Sequence, residues 1–187
     1  SGDFPFLNCF KTGEGWLRTD GAGPPNPDTL DTDGYPTTIA ASAIRQRITI
    51  PSQANRSGNY VIKWDGNGTI SFLFNNTLVS GSLTSSGGTG RYVFSTTDSI
   101  HVIGISAVGS PRITNIRLCH VDDETALDAG EVFGVKFKEK LAEANFGVIR
   151  FLNWMNTNLS NVVNWSDRRP ASYYTYGGSH FRSDLYC

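Results

Sequence analysis

The sequence is poor in charge and sulfur and has no long apolar run. Charged residues make up 18% of its 187 residues and the net charge is -1, against the ~25% charged content usual in globular domains. Lys and Arg form no block, so there is no footprint for a phosphate backbone and no nucleic-acid partner is expected. No apolar stretch approaches the ~18 residues that would suggest a membrane-spanning helix. The histidines, His101, His120 and His180, are scattered and match no metal-ligand spacing. No G-x-S-x-G nucleophile motif occurs. Glu139 and Glu143 stand one helical turn apart, but among lysines, which is the pattern of a solvated face. No catalytic residue is assigned, and the chain is expected not to be an enzyme.

What is present points outside the cell. The length suits one domain, or one domain with an appendage. A chain this long buries roughly 70% of its unfolded surface, so it needs neither metal nor disulfide to fold. With few charges, the polar surface must come from Ser, Thr, Asn and Gly, a composition of extracellular β proteins. Sequons for N-linked glycans occur at Asn55, Asn67, Asn75, Asn158 and Asn164. Each alone can be a chance match in a polar loop, but together they suggest a secreted glycoprotein. Ser1 in place of Met fits a processed N-terminus, and equally a shortened chain. Cys9 and Cys119 are expected to form a disulfide between first and last strands, worth roughly 3–5 kcal/mol. The alternative is two buried free thiols. Cys187 is then odd, available to another chain or to a lost partner.

The spacing of apolar residues predicts strands. Residues 4–17 read as an opening strand, a turn at Gly13-Glu14-Gly15 and a short second strand. Residues 20–37 are too rich in Pro and Gly for regular structure. Strands follow at 45–50, 60–64, 69–74, 78–83, 91–95, 100–107 and 113–119, giving about eight or nine short strands separated by turn residues. Asp65-Gly66-Asn67-Gly68 reads as a hairpin turn. The expected fold is mainly β: an antiparallel, jelly-roll-like β-sandwich over 1–122. Residues 123–187 form an extension. In it, Leu127 to Ala144 reads as one amphipathic helix ending at Asn145, from Val132, Phe133, Phe137 and Leu141. Gly147 to Leu152 reads as one extra strand covered on both faces, and an irregular aromatic tail follows.

Two stretches carry a resemblance. Trp64-Asp65-Gly66-Asn67-Gly68-Thr69-Ile70 and Asp33-Gly34-Tyr35-Pro36-Thr37 resemble a carbohydrate-binding-module-like β-sandwich found before glycoside-hydrolase-like (β/α) barrels in secreted and phage proteins. Val148 to Asn158, then Trp165-Ser166-Asp167-Arg168-Arg169-Pro170, look like the first barrel strand and its loop. A full barrel takes roughly 250 residues and eight strands, and the acid/base pair of a glycosidase sits on later strands. The resemblance therefore implies the binding module without the catalytic pair.

Candidate sites follow from sugar chemistry. Sugars offer apolar C–H faces to aromatic rings and hydroxyls to polar side chains. Trp154, Trp165 and Tyr174, with Asn156, Asp167 and Arg168, are the expected carbohydrate surface; packing of the C-terminal segment is the alternative. Trp64, Tyr173 and Tyr176 are further aromatic candidates, with sandwich core the alternative for Trp64. Asp28, Asp31 and Asp33 offer hard oxygen ligands suited to calcium, or bond their own turn amides. The expected function is a secreted, noncatalytic module binding glycans or a surface through exposed aromatics. The alternatives are a structural subunit of an extracellular fibre or shell, joined to copies of itself or another chain through Cys187, and the N-terminal fragment of a glycoside hydrolase.

Overall fold

A computed structural model of the chain describes residues 6–13, 15–26, 29–39, 44–49, 58–74, 77–96, 100–148, 164, 166 and 169–175. Among them, strands dominate and pair antiparallel in two sheets. The strands are β1 (Trp16–Arg18), β2 (Ile44–Thr49), β3 (Gly58–Asp65), β4 (Gly68–Phe74), β5 (Thr77–Ser85), β6 (Thr89–Thr96), β7 (Ile100–Val108) and β8 (Thr114–His120). One sheet has the order β1-β2-β7-β4-β5, the other β6-β3-β8. The helices are α1 (Glu124–Asp128) and α2 (Val135–Ala144), with 3-10 turns at Cys9–Thr12 and Val121–Asp123. No described helix is long and apolar enough to cross a membrane.

One buried cluster draws on both sheets. Ile62, Ile116 and Leu118 come from the small sheet, Ile70, Ile103 and Ile105 from the large one, and all six are fully excluded from solvent. Each such side chain contributes about 1.5–3 kcal/mol relative to exposure. Period two explains the selection. In β3, Tyr60, Ile62 and Trp64 face this core, while Lys63 and Asp65, on either side of Trp64, are half-buried. Gly90 of β6 pairs with Trp64, and a Cβ there would lie 2.0 Å from the indole. The missing side chain is what admits the ring.

The expected hairpin at Asp65–Gly68 is instead a corner. β3 pairs with β6 and β8, whereas β4 pairs with β5 and β7, so the turn carries the chain from one sheet to the other. Gly66 takes φ 88, and a Cβ there would sit 1.9 Å from the Arg112 carbonyl oxygen. Close crossing of two backbones, rather than strand reversal, requires this glycine. Asn67 ties the corner: its amide N–H donates to Pro111 (2.6 Å) and its carbonyl accepts from Gly109 (2.8 Å). Its Nδ2 donates to the Ser110 carbonyl (2.7 Å) and its Oδ1 accepts from Gly88 N–H (2.8 Å).

The expected disulfide is absent: Cys9 and Cys119 are both free and buried. Parity gives the reason. Leu118 faces the shared core, so Cys119, next along β8, points to the opposite face of the sheet, opposite Val61. Cys9 lies in the core cluster, on the other side of that sheet. Burial, reinforced by Asp123, Glu124 and Asp128, pushes the Cys119 thiol up to about 12, which makes it inert as a nucleophile.

The single helix expected over Leu127–Ala144 is two. Ala129 and Gly130 close α1, Gly130 at φ 86, and residues 131–134 run extended. There Val132 accepts from Leu7 N–H (2.9 Å), and Phe6 bridges to Phe133 with their rings 5.6 Å apart. Val132 and Phe133 therefore serve an extended contact with the N-terminal segment instead of a helical stripe. α2 has Gly134 as its N-cap and ends, as the sequence indicates, before a left-handed Asn145 at its C-cap. The opening segment also differs from expectation: a 3-10 turn capped by Asn8 stands where the apolar spacing predicts a strand. The extra strand expected over 147–152 lies outside the described residues from 149 onward.

Candidate functional site

An open cleft of about 400 Å³ lies where the N-terminal segment, the 31–35 loop, the start of β8, the α1–α2 link and the segment 171–172 meet. That volume falls in the ~300–1,000 Å³ range of small-molecule sites.

The 31–35 loop is built by Asp31. Its Oδ1 accepts from the amides of Asp33 (2.9 Å) and Tyr35 (2.8 Å), and its backbone bonds Gly34 and Tyr35. Its Oδ2 accepts Nε (3.1 Å) and Nη2 (2.7 Å) of Arg112. Tyr35 is buried, and its hydroxyl accepts the Ile116 amide at 3.0 Å, which fixes the loop to β8. The carboxylate proposed for calcium is thus an Asx-turn organiser and an arginine clamp. Asp33 accepts the Ser172 hydroxyl at 2.7 Å; Asp28 lies outside the described residues. Among the described residues no three His, Cys, Asp or Glu side chains gather as a metal group.

The wall at 171–175 folds back over the start of the chain. Lys11 is buried, and its Nζ donates to the Ala171 (2.8 Å) and Tyr173 (2.5 Å) carbonyls. Burial lowers its pKa to about 8, against the opposing pull of Asp33. The single Thr175 hydroxyl proton lies between the Gly13 (2.6 Å) and Lys11 (3.0 Å) carbonyls, the former being the nearer acceptor. Tyr174 stacks on Trp16 at 5.1 Å and 12°, and its hydroxyl accepts the Trp16 amide at 3.1 Å. Gly34 packs beneath it: a Cβ there would lie 2.4 Å from the Tyr174 ring.

Tyr174 is therefore a core residue, 3% exposed, and not the sugar platform the sequence suggests. Burial raises its pKa, and that of Tyr173, above the ordinary tyrosine value. Trp64 is also core, with its Nε1 donating to Ser85 Oγ at 2.9 Å. Trp154, Asn156, Trp165, Asp167 and Arg168 lie outside the described residues, as do Tyr176 and Cys187. So do the sequons at Asn55, Asn75 and Asn158. Asn164 is exposed, and Asn67 is half-buried at the sheet-to-sheet corner.

The third wall contains a β-bulge. Between Asp65↔Thr114 and Lys63↔Arg117 the register shifts, so two β8 residues, Asn115 and Ile116, oppose one of β3. Asn115 takes φ 48, a left-handed conformation that asparagine tolerates. Its side chain lines the cleft and donates to Asp65 Oδ2 at 2.7 Å.

All six charged side chains lining the cleft already bond protein atoms. Arg112 holds Asp31, Arg117 holds Asp65 and Asp128, Glu131 holds Lys138, Ser172 holds Asp33, and Lys11 holds two carbonyls. The three cations (Lys11, Arg112, Arg117) equal the three anions (Asp31, Asp33, Glu131) in number. Phe6, Leu127 and Val132 add apolar surface. Sequence reasoning did not find Lys11 or Arg112; the available signal was a lone lysine after Phe10 in an apolar segment. The chain matches no protein family, no curated protein and no solved structure.

Proposed function

We propose that this chain is a secreted, noncatalytic glycoprotein module that binds uncharged carbohydrate in the cleft, its two sheets forming the layers of a jelly-roll-like sandwich. The observation that carries the reading is the charge balance of the cleft. Every ionisable group there is engaged within the protein, so acid/base work would first have to break those bonds. A charged ligand would meet as many repelling groups as attracting ones. A neutral polyol meets donors, acceptors and an apolar wall together. The test is affinity electrophoresis of the full chain through gels containing xylan, mixed-linkage β-glucan or galactomannan. Retardation by at least one supports the reading, and equal mobility in all of them and in plain gel overturns it.

One observation favours the second reading, a structural subunit. Val135 at the start of α2 and Phe146 and Val148 after its end are 55%, 61% and 88% exposed, and exposed apolar side chains favour association. Sedimentation velocity across a hundredfold range of concentration separates the two: a constant monomer counts against the structural subunit.

A further inference from the structure

The geometry points to Arg112 as the residue that grips the ligand, with Asp31 as its positioning residue; this rests on the cleft being a carbohydrate site. Arg112 reaches the cleft from the segment leading into β8, and its side chain is 44% exposed, whereas that of Asp31 is 11% exposed. Asp31 takes Nε and Nη2 of the guanidinium on a single oxygen. Among the described residues, Nη1 of the same rigid plane has no protein acceptor. A guanidinium so held keeps a donor edge ready without being free to swing, and preorganisation of this kind lowers the entropy lost on binding.

The positioner is itself immobilised. Both amides that Asp31 Oδ1 accepts belong to the loop, and the loop is pinned to β8 by the Tyr35 hydroxyl. The guanidinium plane is therefore referred to the sheet rather than to a mobile turn. The ion pair also sets the ligand's chemistry. With its charge matched by Asp31, and with Asp33 on the same wall, Arg112 presents hydrogen-bond donors more than net positive potential. Such an edge suits two neighbouring hydroxyl oxygens of a neutral sugar. A carboxylated sugar would gain the same hydrogen bonds but would face Asp31 and Asp33.

The experiment runs the full chain and its variants through gels containing the three neutral polysaccharides above, and through polygalacturonate. Arg112→Lys keeps a cation beside Asp31 but loses the planar fork. It should weaken retardation by whichever neutral polysaccharide binds the wild type about tenfold, the loss expected for one good charge-assisted bond. Asp31→Asn should weaken it less and restore some affinity for polygalacturonate, an effect that loss of loop structure would not produce. Arg112→Gln, with a thermal melt alongside, guards against reading a folding defect as a binding defect. Arg91→Lys, on β6 at the edge of the small sheet opposite β8 and outside the cleft lining, should bind like wild type. Wild-type retardation that survives both Arg112 variants overturns this inference and leaves the carbohydrate reading standing. Retardation of wild type by polygalacturonate alone overturns the neutral-ligand assignment. No retardation of wild type in any gel overturns both.

Discussion

The two faces of the three-stranded sheet use neighbouring residues of the same strands in opposite ways. The inner face holds Tyr60, Ile62, Trp64, Phe94, Ile116 and Leu118, and depends on shape. Gly90 is absent volume fitted to one indole. The outer face depends on charge. Lys63 pairs with Asp128 (2.6 Å) and Glu124 (3.2 Å), Arg91 with Glu124 (2.8 Å), and Arg117 with Asp65 (3.1 Å) and Asp128 (3.3 Å). These pairs tie α1 to β3, β6 and β8. Packed shape is intolerant because neighbours cannot relax into a void. Exposed ion pairs are forgiving because water replaces whatever is lost. The inner face is thus expected to set stability, and the outer face to set pH response.

Trp64→Ala should break the comparison most visibly, costing about 3–5 kcal/mol, read as a lower urea midpoint at unchanged slope. A loss like that of Glu124→Gln would mean that the inner face does not dominate. Gly90→Ala should cost about 1–3 kcal/mol by overpacking, and much less in a Trp64→Ala background, because the two share one space. Glu124→Gln should cost about 0.2–1 kcal/mol and lose its effect in high salt. Unfolding temperature with and without reductant should be the same in a Cys187→Ser variant, since Cys9 and Cys119 are free.

The pH response sharpens the same contrast. Glu124 is held down to about 2 by the Arg91 bond above all. A lowered carboxylate pKa stabilises above its unfolded value, and that stabilisation is lost as pH falls from about 4.5 toward 2. Cys119 is raised to about 12 by burial, so its contribution is intact below its unfolded pKa and is lost as pH rises from about 9. Lys11 has the reverse sign. Its pKa is lowered to about 8 by burial, so a cost present at neutral pH is relieved between about 8 and 10.5. Thermal melts from pH 3 to 11 should therefore show a gentle rise above pH 8 before the alkaline fall. In Cys119→Ala the alkaline fall should be shallower.

The strands were legible in the sequence because burial of one face imposes period two, and every described strand from β2 to β8 overlaps a stretch with that signature. Parity along β8 also bears on the cysteines. Ile116 and Leu118 alternate inward, which places Cys119 outward and argues against its bond to Cys9. The corner at Gly66 was not legible, because the same Asp-Gly-Asn-Gly serves a hairpin or a crossing. Only the distant Arg112 carbonyl, against which Gly66 packs, decides between them. The cleft was equally hidden. Its walls come from residues as far apart as Lys11, Arg112 and Ser172, and no local pattern announces such a meeting. Tyr174 looked like a platform because a tyrosine pair in a polar tail has no local periodicity to mark it as core.

The return of residues 171–175 to the beginning of the chain has a consequence for timing. During synthesis Lys11 and Trp16 leave the ribosome long before Tyr174 exists. Until then one side of the Trp16 indole and the lysine ammonium wait in water. The amino-terminal corner can close only when the last of these partners has been made, so the cleft beside it is among the final features to take shape.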